Sequence, residues 1–157
     1  MCGRYRLTRS QKQLKESFNA YGEVEVFPRY NIAPSQAVVT IRQDTHEPVR
    51  KLSAMRWGLL PSWAKDMNIG YKTINARAET VATTPSFREP FKSQRCLVPA
   101  DGFHESQKNG KTKQPYCFEV NDGARSRVSG TDGYSKEGNW VYTPDRAGFK
   151  WKFRLEV

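Results

Sequence analysis

Short apolar segments separated by proline- and glycine-containing turns limit this chain to a fold built mainly from short strands. Ala37 to Arg42 is rich in β-branched residues, and Val49 to Trp57 follows it across a polar turn, which predicts a β-hairpin. The dipeptide Asn109-Gly110 predicts a second hairpin, because it favours tight two-residue turns. Cys96 to Pro99 is a further short apolar strand. With few helices, this pattern predicts a single α+β or mainly β domain.

The first helix is predicted between Thr8 and Tyr21. Ser10 followed by Gln13 fits a capping box at its start. Leu14, Phe18 and Tyr21 then recur at helical spacing, which predicts a stripe that faces the core.

The charge balance favours a polyanionic partner. The 157 residues include 26 Lys and Arg against 16 Asp and Glu, a net charge of +10. Nucleic acid is the simplest polyanion, and a basic, well-solvated surface is the alternative. No apolar run approaches the roughly 18–20 residues that a membrane-spanning helix needs. The N-terminus lacks the apolar core of a signal peptide, so a cytoplasmic, nucleoid-associated protein is expected.

Cys2 directly follows the initiator methionine. Removal of Met1 would leave a free α-amine and a thiol on the same residue. An α-amine is partly neutral at cellular pH and can attack an aldehyde to form an imine. The neighbouring sulfur can then close a five-membered thiazolidine ring, which is favoured because both nucleophiles are held together.

The other cysteines suggest no metal or disulfide chemistry. The chain has three cysteines, Cys2, Cys96 and Cys117, which is an odd number, and it has no CxxC pair and only two histidines. Neither a disulfide framework nor a zinc site is therefore expected. Cys96 and Cys117 lie in apolar, strand-like surroundings and are predicted to be buried packing residues. No cofactor is predicted.

Five segments together resemble the SRAP family, the SOS-response-associated peptidases or abasic-site processing proteins. In chain order the segments are Cys2 to Tyr5, Tyr30 to Gln36, Met55 to Trp63, Ile74 to Thr80 and Arg95 to Glu105. The resemblance covers roughly residues 1–122, and residues 123–157 are expected to be a divergent or truncated part of the same single domain.

The resemblance implies a role in the response to DNA damage. Members of the family bind single-stranded DNA and link covalently to abasic sites through the N-terminal cysteine, which is exposed by a peptidase-like processing step. It implies a compact α+β domain of curved mixed or antiparallel β-sheets with a basic cleft, and abasic single-stranded DNA as its partner. A monomer without membrane association is expected.

The resemblance also assigns roles to individual residues. Cys2 matches the nucleophile, Asn75 a donor to the sugar oxygen, and Glu105 a carrier of protons. Judged without the family, Asn75 is better explained as a turn residue that bonds its own backbone, and Glu105 as an exposed strand-end carboxylate.

DNA contacts are expected at Arg4, Arg77, Trp63 and Asn31. Arg4 and Arg77 match positions that approach phosphates, and surface salt bridges are the alternative. Trp63 follows Pro61 in a constrained loop and is a candidate for base stacking, whereas Trp57 is expected in the core. Asn31 is expected to order the loop under the site.

The chain departs from the family pattern in two places. His104 and Ser106 flank Glu105 where the family has aromatic residues, and strand alternation favours His104 facing away from Glu105. The family's downstream His-Asp-Arg-Met-Pro segment is missing, so weakened activity and impaired crosslink reversal are expected. The alternation around Trp151 and Phe153 favours a terminal strand over an aromatic-basic DNA surface.

The function predicted from the sequence is therefore covalent capture of abasic sites in single-stranded DNA through Cys2. Two alternatives stay open. One is an N-terminal-nucleophile thiol hydrolase that acts on peptides. The other is a basic module that binds single-stranded DNA without chemistry.

Overall fold

The computed structural model describes residues 3–44, 47–77 and 79–119, together with the backbone of two strands at 127–134 and 140–144. Short strands account for most of the regular structure in these ranges. The strands are β1 (Arg4–Leu7), β2 (Ala20–Tyr21), β3 (Arg29–Ile32), β4 (Ala37–Gln43), β5 (Arg50–Trp57), β6 (Arg95–Pro99), β7 (Gly102–Asn109), β8 (Thr112–Glu119), β9 (Arg127–Tyr134) and β10 (Trp140–Pro144). The helices are α1 (Gln11–Phe18), α2 (Ile69–Lys72) and α3 (Arg88–Ser93).

The strands form two sheets. The first has the order β3-β1-β7-β8 and is antiparallel throughout. The second has the order β10-β9-β6-β4-β5-β2, and β10 also pairs in parallel with β5. This extra pairing closes β4, β5, β6, β9 and β10 into a ring, which curves the sheet. The α+β prediction with curved mixed and antiparallel sheets is confirmed.

The main core draws on both sheets and on α1. It contains Leu14 and Phe18 from the helix, Tyr5 and Leu7 from β1, and apolar residues of β3 to β6. Because the inner side chains of all these elements meet in one cluster, β1 is held firmly along the length that follows the N-terminus.

Helix α1 forms where its sequence predicts it. The Oγ of Ser10 accepts a hydrogen bond from the backbone N–H of Gln13, and Oε1 of Gln13 accepts one from the backbone N–H of Ser10. The predicted capping box is therefore confirmed. The predicted end at Tyr21 is wrong. The helix stops at Phe18, Asn19 adopts a left-handed conformation with φ of 47°, and Tyr21 lies exposed on β2.

Both predicted hairpins are confirmed, with one shift. β4 and β5 pair along their full lengths. In the β7–β8 hairpin Asn109 pairs with Thr112, so Gly110 and Lys111 are the turn residues, one position later than an Asn-Gly turn. Gly110 has φ of 60°, a conformation that glycine adopts easily. This register places Lys108 opposite Lys113.

The cysteine prediction is half right. Cys96 is buried in the main core, but Cys117 is exposed on β8. The correction has a simple physical reason, because β8 is the edge strand of its sheet and most of its residues are exposed. The apolar neighbours of Cys117 in sequence therefore gave a misleading signal.

The sequence analysis placed no strand between residues 123 and 150, where the structure has β9 and β10. The two strands join the second sheet through pairings with β6 and β5. The proposed terminal strand at Trp151 and Phe153 lies outside the described residues.

Gly58 marks the end of β5 and a close backbone crossing. Its φ is +124°, and a Cβ at this position would lie 2.6 Å from the carbonyl oxygen of Gly70. Only glycine fits such an approach without moving the backbone. The crossing holds α2 against the end of β5.

Candidate functional site

A cavity of about 660 Å³ lies beside the start of β1. The described residues that line it come from three neighbouring strands and from the N-terminal segment. They are Gly3, Arg4, Asn31, His104, Glu105, Ser106, Lys113 and Pro115. Among these residues Arg4 and Lys113 carry positive charge and Glu105 is the acidic group, so the charge of the described walls is positive on balance.

The cavity forms because the pairing between β1 and β7 stops there. Arg4 pairs with His104, and this is the last described pair of that ladder. Glu105 and Ser106 continue along β7 and pair with β8 on their other side. Adjacent strand residues normally face opposite sides of a sheet. At this open end of the ladder both His104 and Glu105 reach the cavity, contrary to the expectation that His104 faces away.

Arg4 is held by a neighbouring strand. Its Nη1 donates a hydrogen bond of 3.1 Å to Oδ1 of Asn31 on β3. A guanidinium is a planar group with five N–H donors, so a bond to one of its nitrogens orients the whole group. The predicted residues Arg4 and Asn31 thus lie together in the cavity wall.

His104 is oriented by the backbone of β3. Its Nε2 lies 3.0 Å from the carbonyl oxygen of Tyr30, and a carbonyl oxygen can only accept a hydrogen bond. Nε2 therefore carries the proton, and in the neutral ring Nδ1 has a free lone pair. Like Glu105, His104 is partly buried. The structure brings both titratable groups to one cavity.

Cys2 lies outside the described residues. Gly3, which is bonded directly to Cys2, lines the cavity. The predicted nucleophile is therefore one residue along the chain from the cavity wall.

Asn75 and Arg77 are not among the residues that line the cavity. Asn75 is partly buried and Arg77 is exposed. The segment that carries them is nevertheless tied to the end of β5 in the second sheet, because Nε1 of Trp57 donates a 2.8 Å hydrogen bond to the carbonyl oxygen of Ile74. The Trp57 ring packs against Tyr5, with ring centroids 5.6 Å apart, and Tyr5 directly follows Arg4.

Trp63 lines a different cavity of about 720 Å³. Its side chain is 55% exposed, whereas Trp57 is buried, as the sequence predicted. The second cavity is lined by residues of the loop that follows β5 and by the start of α3. They are Leu60, Pro61, Ser62, Trp63, Pro85, Ser86, Arg88, Glu89, Pro90 and Gln94.

The sequence reasoning did not identify Ser106, Lys113 and Pro115 as part of the site. The Asn109-Gly110 signal locates the hairpin but gives its register one residue off, because the observed turn is Gly110-Lys111. Counting back from the observed turn pairs Ser106 with Pro115 and Lys108 with Lys113.

The resolved pKa shifts have local structural causes. A hydrogen bond from its hydroxyl to Asp44 raises the pKa of Tyr21 to about 12. The pKa of Glu23 is lowered mainly by its hydrogen bond from Lys15, and that of Asp66 mainly by the backbone N–H of Asn68. None of these three acids lines the cavity beside β1.

Within the described ranges, no group of three or more His, Cys, Asp and Glu side chains is arranged to hold a metal ion. In the same ranges no helix has both the length and the apolar character needed to cross a lipid bilayer.

Fold and site together define a small α+β domain with a basic cavity beside its N-terminus. The family model described as SOS response associated peptidase (SRAP) matches residues 1–144, and the chain belongs to this family. The match extends beyond residue 122, where the resemblance seen in the sequence ended.

Relatives in several organisms are abasic site processing proteins. YoqW of Bacillus subtilis is 44% identical over 151 residues, which are 91% of this chain and 66% of that protein. HMCES of Gallus gallus is 39% identical over 99 residues, 57% of this chain and 30% of that protein. The chain thus spans just under two thirds of the length of YoqW.

Solved structures share the fold. A protein from Bacteroides thetaiotaomicron superposes with a TM-score of 0.80 at 23% identity, and the match covers 92% of this chain and 67% of that one. A protein from Bordetella bronchiseptica gives a TM-score of 0.74 at 26% identity, with 92% and 71% covered.

Proposed function

We propose that this chain processes abasic sites in DNA, and that it captures them in single-stranded DNA as a covalent thiazolidine adduct of Cys2. The observation that carries the proposal is the basic cavity that begins at Gly3 and contains Glu105 and His104. Family membership and the relatives' role in abasic site processing support it.

The chemistry needs only the groups of Cys2 and proton carriers. The ring-opened abasic sugar presents an aldehyde at C1′. The α-amine of Cys2 attacks this carbon, and loss of one water gives an imine. The thiol sulfur then adds to the same carbon and its proton passes to the imine nitrogen. One water is released overall, and no oxidant or reductant is consumed.

Glu105 and His104 are the proposed proton carriers. A carboxylate can take a proton from the attacking amine and return it to the hydroxyl that leaves as water. Nδ1 of His104 has a free lone pair when the ring is neutral, because Nε2 is bonded to the Tyr30 carbonyl. His104 is thus the proposed second acid–base group of the site.

The remaining predicted residues are proposed to bind the DNA. Arg4, oriented by Asn31, is a proposed phosphate contact, because it brings a permanent positive charge to the cavity wall. Arg77 is a second phosphate contact, and Asn75 donates to the sugar oxygen. Trp63 stacks on a base, since its ring is exposed beside a cavity wide enough to receive one. Single-stranded DNA suits this arrangement because the lesion has no paired base to displace.

The decisive experiment incubates the protein with a single-stranded oligonucleotide that carries one abasic site. We expect a denaturant-resistant adduct whose mass equals protein plus DNA minus one water. Cys2→Ala should remove this thiazolidine adduct and keep reversible binding. Cys117→Ala is the matched control, because it removes an exposed thiol that has no α-amine on the same residue. An equal loss of adduct in both variants, or no adduct in the parent protein, contradicts the proposal.

Cys2→Ser separates the amine from the sulfur. This variant should form the imine without closing the stable ring, so its adduct should survive denaturation only after borohydride reduction. A stable adduct without reduction would show that the sulfur is not needed.

The amine requires that Met1 be removed, which we propose occurs by peptidase-like self-processing. Intact mass of purified protein should lack one methionine. Retention of Met1 in a protein that still forms the adduct would exclude the amine of Cys2. A thiol hydrolase would instead cleave added peptides at a rate that abasic DNA does not affect.

A further inference from the structure

One face of the first sheet changes its charge from one end to the other. Residues directly opposite on neighbouring strands share a face, and every second residue along a strand does too. The strand pairings therefore put one set of side chains on the cavity's face. In order toward the hairpin tip, its rows are Arg6 with Glu119, Arg4 with His104 and Cys117, Ser106 with Pro115, and Lys108 with Lys113.

Glu105 reaches the cavity from the alternate set of strand positions, and within the set that forms this face negative charge is confined to one end. Glu119 is its acidic residue among the described positions of β1, β7 and β8, and it forms an ion pair with Arg6. At the other end Lys108 and Lys113 are direct cross-strand partners, both are exposed, and Lys111 follows in the turn. Like charges placed directly opposite one another destabilise a sheet. A polyanion along this face would remove that repulsion.

The lysine end is continuous with the cavity. Lys113 and Pro115 line it on β8, and Ser106 lines it on β7. From His104 to Lys108 the strand advances four residues, about 14 Å at the usual rise. A DNA strand covers that distance in at most about four nucleotides, since its rise is about 3.4 Å or more per nucleotide.

We infer that the β7–β8 hairpin is a phosphate-binding arm that holds the single-stranded DNA on one side of the lesion. This inference rests on the proposed function for the identity of the polyanion. Lys108 and Lys113 form the arm's ion contacts, and the arm serves only the flank of the strand that leaves the cavity along β7. The opposite flank leaves past other residues and makes no contact with these lysines.

The test measures reversible binding without covalent chemistry. Two oligonucleotides carry a tetrahydrofuran abasic analogue, which has no aldehyde, at the 5′ end or at the 3′ end of an eight-nucleotide strand. The test variant is Lys108→Gln with Lys113→Gln. The matched control is Lys12→Gln with Lys51→Gln, which makes the same change of net charge on α1 and β5. Fluorescence anisotropy gives Kd over a range of salt concentrations.

For one of the two oligonucleotides the test variant should lower the slope of log Kd against log salt by about 1.4, as expected for two lost phosphate contacts. The slope for the other oligonucleotide, and both slopes of the control variant, should change by less than about 0.7, the value of one contact. The inference of a phosphate-binding arm is wrong if the salt slopes of the test variant equal those of the control variant, or if the test variant loses affinity equally for both oligonucleotides.

Failure of the arm and failure of the proposed function are distinguishable. The function fails if the parent protein forms no adduct with an aldehyde-bearing oligonucleotide. The arm is judged from the analogue alone, whether or not an adduct forms. Circular dichroism of each variant checks that the substituted proteins remain folded.

Discussion

The cavity beside the N-terminus and the cavity beside Trp63 are similar in volume, about 660 and 720 Å³, but they are built differently. Paired strands form the first, and its basic groups surround Glu105. A loop and the start of a short helix form the second, where Arg88 and Glu89 pair with each other at 3.4 Å. Leu60 in its wall belongs to a small apolar cluster that is separate from the main core.

The two cavities are therefore suited to different functions, the first to chemistry and the second to binding. Rigid strands hold titratable groups in fixed positions, as a reaction requires. In the second cavity the exposed ring of Trp63 and the side chain of Leu60 offer contact area, and the carboxylate of Glu89 is paired with Arg88. On the proposed function, changes in the first cavity alter the rate of adduct formation, and changes in the second alter affinity.

The largest expected effect is that of Glu105→Gln on rate. Loss of the proposed proton carrier should slow adduct formation at saturating DNA by about 10²-fold or more, with Kd for the tetrahydrofuran analogue changed less than about twofold. Single-turnover gels measure the rate, and Glu119→Gln, on the same sheet but outside the cavity, is the control. An equal rate in both variants would remove Glu105 from the chemistry.

The next effect concerns the close backbone crossing of Gly58 and Gly70 at the end of β5. Gly58→Ala should lower the free energy of unfolding by about 3 kcal/mol, because its Cβ would meet the Gly70 carbonyl and its φ is positive. Gly110→Ala also has a positive φ but no atom within 4 Å of the new Cβ, so about 1 kcal/mol is expected. Urea titrations compare the two. Similar losses of unfolding free energy in the two variants would mean that the positive φ, and not the close approach to Gly70, causes the destabilisation.

Trp63→Ala should affect affinity alone. Loss of a stacked base should weaken reversible DNA binding by about 1–3 kcal/mol, while the rate of adduct formation at saturating DNA stays unchanged. Trp63→Phe should restore most of the affinity, because a benzene ring also stacks. If Trp63→Ala instead lowers the rate of adduct formation at saturating DNA, the second cavity does not act on affinity alone.

The smallest effect is expected at Asn31. Asn31→Ala removes the acceptor that orients Arg4, and an exposed hydrogen bond of this kind contributes about 0.5 kcal/mol, so DNA affinity should fall about two- to threefold. A double-mutant cycle with Arg4→Ala tests the reason. Additive losses would show that Asn31 does not act through Arg4.

Short sequence patterns were enough to predict many of the helices and strands. The capping box at Ser10 places α1, the polar turn before Val49 joins β4 and β5, and glycine at position 110 allows the β7–β8 turn. Each depends on residues within a few positions of one another, so the sequence shows it directly. Where a segment's surroundings decide its burial, as at Cys117 on an edge strand, the local pattern gave the wrong result.

The sequence by itself determined the local elements, the excess of positive charge, and the residue types available for chemistry. Only the tertiary structure decided which of those residues share a cavity. Arg4 and His104 are far apart in sequence but are direct partners in the β1–β7 pairing. Trp63 lies in a separate cavity. The physical reason is that strand register depends on contacts between distant segments, and a shift of one residue turns every side chain to the other face.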